Sequence, residues 1–467
     1  MRETLSDFWN EFKTKRIGLI GVLLLVLTVV VAVMAPVIAP MDLKRWKDPT
    51  YWENNPKSVP PVWVPYLLGK TPVPQTIITD FDVKARKLGG FPLIVATREF
   101  NYTYDDFPNQ VRIYFNLSHG GAGAFLQVTL YRPDGQSVTI FTDTIYPSTG
   151  NETYAGWFEK NVDCNRERKV RIAVATWLQK NGINATADDV IVPVALFSDL
   201  KSLKEGNPKT LKGTYKIEFK SATQGKKLEL EKLEFLMSAT AYGLLGTDDV
   251  GRDLFKGLVW GTPIALMIGV LTSVISVVVG LFYGVTSGYI GGFTDEIMMR
   301  IVDILMAMPK LPILLMLAIV YKPTVFTIVF LLAIFGWMGI SRVSRSMALQ
   351  LRELAFVEAA RSIGASRWRI IGVHIVPNIV PYTVAALALG IPDAILTEAS
   401  LSFLGLGDPS LPTWGSILHD AEQGGALGSG MWWWFIPPGL AIAVVSMAFV
   451  FIGYAIDEIV NPRLRRR

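Results

Sequence analysis

Cysteine is nearly absent from this chain, with Cys164 alone in 467 residues. One thiol excludes an internal disulfide framework and any cysteine-based metal site. The 3 histidines are scattered too widely to suggest a zinc motif, so no metal centre is expected. Charge is also sparse: Asp, Glu, Lys and Arg make up 18% of the chain, against roughly 25% in an ordinary soluble domain. The formal net charge of +5 does not point to nucleic acid, because of where the positive residues lie. Arginines cluster from Arg342 to Arg369 and from Arg463 to Arg467, each beside an apolar run, where basic residues mark the cytoplasmic side of a membrane.

What is present is apolar sequence, 51% of the chain, unevenly spread. Ile17 to Ala39 is almost free of charge and long enough to cross a hydrocarbon core of about 30 Å as a helix. Lys13, Lys15 and Arg16 precede it, as they would a secretory signal. A signal h-region spans only about 7–15 residues, however. Pro36 to Pro40 also makes a poor cleavage site, so the run reads as an uncleaved signal-anchor helix. Further runs follow at about 260–286, 297–320, 323–345, 377–403 and 433–456. Six spans put both termini in the cytoplasm of a multi-pass cell-membrane protein. The basic bias agrees, since the outer turn after the third span carries only Lys322.

The polar stretch between the first two runs reads differently. After a Pro- and Trp-rich linker come "VRIYFNL", "FLQVTLY", "SVTIFTDTIY", "VRIAVATWL", "YKIEFKSA" and "LELEKLEFL", each alternating with period two. Pro133-Asp134-Gly135 marks a tight turn between two of them. Strands without an intervening helical period suggest an antiparallel β-sandwich, and no catalytic constellation stands out within it. Asn101, Asn116, Asn151 and Asn184 open N-x-[ST] sequons, which fit an extracytoplasmic surface that can be glycosylated. The expected fold is an all-α polytopic membrane protein of six transmembrane helices with an inserted extracytoplasmic β-sandwich-like domain. Residues 1–40 form the cytoplasmic head and first helix, 41–238 the insertion and 239–467 the helical core, with a cytoplasmic loop at about 346–376.

"GTDDVGRD", starting at Gly246, nearly matches the glycine spacing of a phosphate-binding loop. Its chemistry is wrong for one. Arg252 and Asp253 stand where the lysine and the Mg²⁺-binding hydroxyl belong, and Asp248 and Asp249 would repel phosphate. The segment also precedes a membrane span rather than following a strand, and the topology puts it outside the cell. It reads as a surface helix start capped by Asp248 or Asp249.

Ionisable residues inside spans are costly and face cavities or partners. Asp393, Glu398 and Asp303 are candidates to line a translocation path, and Lys310 accompanies Asp303 in the third span. The bland alternative places Asp303 near the cytoplasmic end and pairs Glu398 structurally. Pro309, Pro312 and Pro392 would interrupt their helices. Trp432 to Trp434 reads as an anchor at the outer interface.

The most informative cytoplasmic segment is "ELAFVEAARSIGASRWRIIGVHIVPNIVP", from Glu353. It reads as helix, break, helix. Ala355, Ala359, Ala360 and Ile363 make a small apolar stripe suited to close docking. Gly364 can take the positive φ that ends the first helix, and Pro377 suits the first turn of the next span. Arg361, Arg367 and Arg369 remain for acidic partners or lipid phosphates. Spacing alone leaves open an ordinary membrane-surface helix pair.

The segment resembles the EAA loop of ABC importer membrane subunits, E-A-A-x-x-x-G-x9-I-x-L-P. Glu358, Ala359, Ala360, Gly364 and Pro377 match, whereas His374 and Val376 replace the isoleucine and leucine. His374 is usual in the dipeptide/oligopeptide permeases. "GTDDVGRDLF", "TEASLSFLGLGDPSLPTWGSIL" and "DEIVNPRLRRR" resemble the C-type subunit of that branch. The resemblance covers roughly 1–40 and 240–467 and leaves the insertion outside it.

This resemblance implies a permease subunit that is not itself an enzyme and holds no cofactor. ATP and Mg²⁺ would be bound by two cytoplasmic ATPase subunits, one of which grips the loop at Glu358 to Gly364. A second, related permease would complete a heterodimer, and an extracytoplasmic solute-binding protein would deliver peptides. Relatives of this kind also carry oligosaccharides or nickel. A proton- or sodium-coupled secondary transporter using Asp393, Glu398 and Asp303 would explain the charged spans but not the EAA loop. An adhesion or binding protein working through the β-rich insertion is the third class.

Overall fold

The computed structural model describes residues 8–120, 123–145, 155–225 and 227–460. The chain divides into two compact units. Residues up to Tyr51 fold with those from Leu254 onward, and Trp52–Asp253 fold together. Asn151 and Arg463 to Arg467 lie outside the described residues.

The helical unit begins with α1 (Arg16–Ile38), whose side chains are apolar all round except for a small buried stripe of Gly18, Gly21, Thr28 and Ala35. Residues after it stay with the helices: Trp46 is buried, and its ring lies where a Cβ at Gly257 would stand.

The second unit starts with a short helix α2 (Trp63–Leu67) and continues through seven strands: β1 (Thr76–Ile78), β2 (Asp82–Leu88), β3 (Phe91–Tyr102), β4 (Val111–Gly120), β5 (Ala124–Tyr131), β6 (Ser137–Ile145) and β7 (Ala155–Asp163). Then come α3 (Arg168–Lys180), α4 (Val192–Phe197), α5 (Leu200–Lys204), β8 (Gly213–Thr223) and β9 (Leu228–Met237). One antiparallel sheet has the order β1-β9-β4-β7, the other β2-β3-β8-β5-β6. Alternation sets the inward faces: Tyr215, Ile217 and Phe219 of β8 are buried, and residues between them are not. The two sheets share one core, with Phe115 of β4 and Phe219 of β8 5.6 Å apart between ring centroids.

One predicted strand is a helix. "VRIAVATWL" lies in α3, where Val170, Val174 and Leu178 point into the core. Apolar residues four apart satisfy both a period of two and a period of 3.6, and exposed Ile172 decides between them. Helices thus intervene among the strands, contrary to the all-strand reading. Arg132 is buried behind this region and donates to the carbonyls of Ala195, Leu196 and Ser198, satisfying the open end of α4.

The helical unit resumes with α6 (Leu254–Ile290), α7 (Gly292–Ala307), α8 (Lys310–Val320), α9 (Val325–Leu351), α10 (Ala355–Ser362), α11 (Arg367–Ile370), α12 (Val376–Phe403), α13 (Trp414–Gln423) and α14 (Trp432–Val460). Among the described residues, five helical segments are long and apolar enough to cross a membrane, or six if the bent pair α7–α8 counts as one span. The third apolar run is therefore not one helix. It bends by 84° at Met308-Pro309, because a residue before proline is pushed towards extended backbone and Met308 has ψ 137.

Glycines bring the longest helix against its neighbour. Gly280, Gly284 and Gly288 on α6 face the carbonyls of Trp337, Ser341 and Arg345 on α9, and a Cβ at Gly284 would lie 2.1 Å from the Ser341 oxygen. Small residues four apart allow this backbone-to-backbone approach in a bundle where lipid supplies no hydrophobic drive between helices. Elsewhere in the unit, α1 packs on α14 through Gly18 and Gly21, and Lys15 pairs with Glu458. Trp434, expected at the interface, is instead fully buried where Gly424 leaves room for its ring.

Candidate functional site

The loop between α9 and α12 is built by one helix stop. α10 ends in a Schellman turn, in which the Ala365 N–H donates to Ala360 O and the Gly364 N–H to Arg361 O. Gly364 carries φ +83, the left-handed conformation this turn requires. Ser366 then starts α11 by accepting the Arg369 N–H. α11 runs into α12 through a π-turn, Ile371–Ile375. Pro377 is the second residue of α12; it has no N–H for the helix ladder, and a wider turn accommodates the gap.

The loop has an inner and an outer face. Val357, Ala360, Ile370, Ile371 and Ile375 join Val285 and Tyr289 of α6 and Ala348 of α9 in one buried cluster. Glu358, Ala359, Ile363 and Gly364 face outward, with Ile363 86% and Trp368 68% exposed. The predicted small stripe therefore splits, Ala360 anchoring the loop and Ala359 remaining open. Arg361 lies 6.0 Å over the Tyr289 ring. His374 is half-buried, with its ring 6.3 Å from Phe356, and Pro377 is exposed.

Beneath the loop lies a clamp that sequence reasoning missed. Arg345 donates through Nε and Nη2 to Asp295 at 2.6 and 2.5 Å, and Ser287 donates to the same carboxylate. Arg352 donates to Gly288 O at 3.1 Å. Three arginines of the 342–369 cluster are thus engaged within the chain, since Arg342 pairs with Asp303 at 2.5 Å. An acidic pair, Asp295-Glu296, at the start of a helix that precedes an arginine-rich one is the signal that could have found it.

The other charged residues of the spans separate. Asp393 pairs with Lys310 at 3.1 Å, and Lys310 also approaches Thr397 Oγ1 at 3.4 Å. Glu398 is only 2% exposed and accepts a hydrogen bond from Ser402 on its own helix at 2.6 Å. The structure does not bring Asp303, Asp393 and Glu398 together through any hydrogen bond or ion pair among the described residues.

The near-phosphate loop is not the expected surface helix start capped by Asp248: Asp249 is exposed, but Asp248 is turned inward. Asp248 is 1% exposed, and its Oδ1 accepts the N–H groups of Val250, Gly251 and Arg252 at 3.0, 2.9 and 2.8 Å. Its Oδ2 pairs with Arg252 Nε. The donors a phosphate would need are already taken by an internal carboxylate. Of the sequons, Asn101 is exposed on β3 and Asn184 is exposed after α3, whereas Asn116 is half-buried in β4 with Oδ1 enclosed.

Two families match this chain. "Binding-protein-dependent transport system inner membrane component" covers residues 276–466, and "N-terminal TM domain of oligopeptide transport permease C" covers 4–61. Similar proteins include the oligopeptide transport system permease protein OppC of Bacillus subtilis, 39% identical over 222 residues, 47% of this chain and 72% of that protein. The dipeptide transport system permease protein DppC of the same organism is 35% identical across 47% of this chain and 69% of its own. OppC of Haemophilus influenzae is 36% identical across 48% and 71% respectively. With its apolar helices, its glycine-packed core and these relatives, the chain belongs to the multi-pass inner-membrane permease subunits of binding-protein-dependent transport systems, in the branch of the C-type oligopeptide and dipeptide permeases.

Proposed function

We propose that this chain forms half of the pathway through which an ATP-driven importer moves peptides across the cell membrane. The observation that carries the coupling part is the two-faced loop. Its inner side chains hold it on α6 and α9, while Glu358, Ala359, Ile363 and Trp368 project outward. Exposed apolar side chains of that size at the tip of a rigid turn fit a protein partner. In this reading the partner is one of two cytoplasmic ATPase subunits, which hold ATP and Mg²⁺, and this chain supplies no nucleotide site or cofactor of its own. A second, related permease completes a heterodimer, and an extracytoplasmic solute-binding protein delivers the cargo. Peptides are the cargo named for the similar oligopeptide and dipeptide permeases.

The same reading counts the bent pair α7–α8 as the third of six spans and puts both termini in the cytoplasm. The β-rich unit then lies outside, its two sheets packed as a sandwich, where it docks the solute-binding protein. Asn101 and Asn184 are the sequons whose exposure suits glycosylation there.

Coupling is tested with Glu358→Lys. The variant is expected to reach the membrane yet lose peptide uptake and co-purification of the ATPase. Uptake should stop on ATP depletion and persist with a protonophore. The opposite pattern of inhibition would make the chain a secondary transporter, and intact coupling in Glu358→Lys would remove the loop from the mechanism.

A further inference from the structure

The Lys310–Asp393 pair sits between two spaces. On one side is a small, partly open cavity of roughly 50 Å³, lined by Thr272, Ser273, Ser276 and Gly336. On the other is an open groove of roughly 510 Å³ along Pro309, Pro312, Leu396 and Ser400. Lys310, Asp393 and Thr397 line both. The smaller space has room for water and none for a peptide, since one water occupies about 30 Å³.

Three features set this pair apart from a packing detail. Lys310 is the first residue of α8, with no acidic residue in that turn, so the helix N-terminus disfavours its charge. It stands directly after the 84° bend, whereas Asp393 follows Pro392 inside the continuous helix α12, so Lys310 is the partner carried by an interrupted part of its span. Inside the small cavity, Thr272 Oγ1 and Ser276 Oγ are buried without a hydrogen-bond partner. Buried hydroxyls of that kind are costly unless something polar comes to meet them.

We propose that Lys310, Asp393 and Thr397 form a charge gate in the permeation path, specific for peptides with free termini. At rest the two side chains satisfy each other and close the groove off from the hydroxyl-lined cavity. A zwitterionic peptide in the groove replaces the pair, its carboxylate taking Lys310 and its ammonium taking Asp393, which opens the water-sized cavity to the groove and lets its hydroxyls meet the peptide's amide groups. The proposal rests on the peptide-importer reading above.

The test uses the complete importer in proteoliposomes, carrying Ser276→Cys as a reporter for a charged, impermeant thiol reagent. Native Cys164 is buried, and burial pushes its thiol up from its ordinary value, so it stays unmodified. Lys310→Met is expected to speed reporter modification at rest by about fivefold, the factor expected from losing one partly exposed ion pair. The swapped pair Lys310→Asp with Asp393→Lys should return the rate towards that of the parent. Uptake is measured without the reporter substitution, so that Ser276 stays intact, and is compared within each variant as a ratio, so that the solute-binding protein's own preference cancels between variants. Lys310→Met should raise the ratio of C-amidated to free peptide, and Asp393→Asn the ratio of N-acetylated to free. Equal labelling rates in all variants, or unmoved uptake ratios, would reduce the pair to a structural contact and overturn the gate. Loss of the importer reading has a different signature, namely no ATP-dependent peptide uptake in the wild-type importer, which keeps the Ser276 hydroxyl.

Discussion

Replacing Gly364 by alanine, asparagine and leucine separates backbone strain from partner contact at the tip of the loop. Gly364 has φ +83, and a Cβ placed there meets nothing within 4 Å. Within this chain, alanine and leucine therefore suffer the same penalty, about 1–2 kcal/mol for an L-residue held left-handed. That shifts the turn equilibrium roughly five- to thirtyfold, and asparagine, which tolerates the conformation, should recover most of it. If the outer face is gripped by an ATPase, leucine adds a second cost that alanine lacks, because its side chain enters the partner's cleft. The expected order of peptide-stimulated ATPase activity and uptake is glycine, asparagine, alanine, with leucine inactive though present in the membrane. Equal activity in the alanine and leucine variants would refute the docking argument and leave Gly364 as a helix stop alone. Full activity in all three would refute the strain argument as well.

Three other expectations follow from the packing. Gly284→Val forces a side chain against the Ser341 carbonyl and should cost at least about 2 kcal/mol of overpacking; Gly439→Ala, which meets nothing within 4 Å, should leave the apparent Tm in detergent unchanged or raise it, and equal melting of the two would discount the glycine seam. Asp248→Ala takes the buried carboxylate from the N–H groups of Val250, Gly251 and Arg252 and removes one acidic partner of Arg252, so it should destabilise the β-rich unit by about 3 kcal/mol, read as proteolysis within 52–253 of the full chain, whereas exposed Asp249→Ala should behave as wild type. Burial alone would raise the Asp143 carboxyl, but hydrogen bonds from Lys169 and Lys160 outweigh it and hold the group below its ordinary value. Its stabilisation is accordingly present above the unfolded carboxylate value of about 4 and is lost as pH falls through the lower folded value; hydrogen exchange across β6 should show that acid loss in wild type and a flatter profile in Asp143→Asn.

Much of this architecture could be read from the sequence because membrane helices announce themselves by length and lack of charge, and because strands with one wet face alternate. β4, β5, β6, β8 and β9 were legible in this way. α3 was not, since Val170, Val174 and Leu178 satisfy both periods, and only the exposure of Ile172 tells them apart. The bend at Met308 was half legible: Pro309 signals an interruption but not its angle. The loop's turn could be placed from Gly364, yet the choice of Ala360 as the anchored alanine and Ala359 as the open one depends on what α6 and α9 offer beneath.

Charge was the least legible property, because a charged residue in an apolar run gives no sign of its partner. Arg342 and Arg345 read from the sequence as positive charge on the cytoplasmic side, but in the structure each is committed to an aspartate from α7. The same holds at "GTDDVGRD". Its glycine spacing does build a turn with converging N–H groups, so the geometric half of the phosphate-loop resemblance is real. The anion those groups bind is Asp248, from within the motif itself. An anion fixed by covalent attachment leaves no room for a diffusible one, so in this chain the acidic residues inside the motif were the deciding feature and the glycine spacing was secondary.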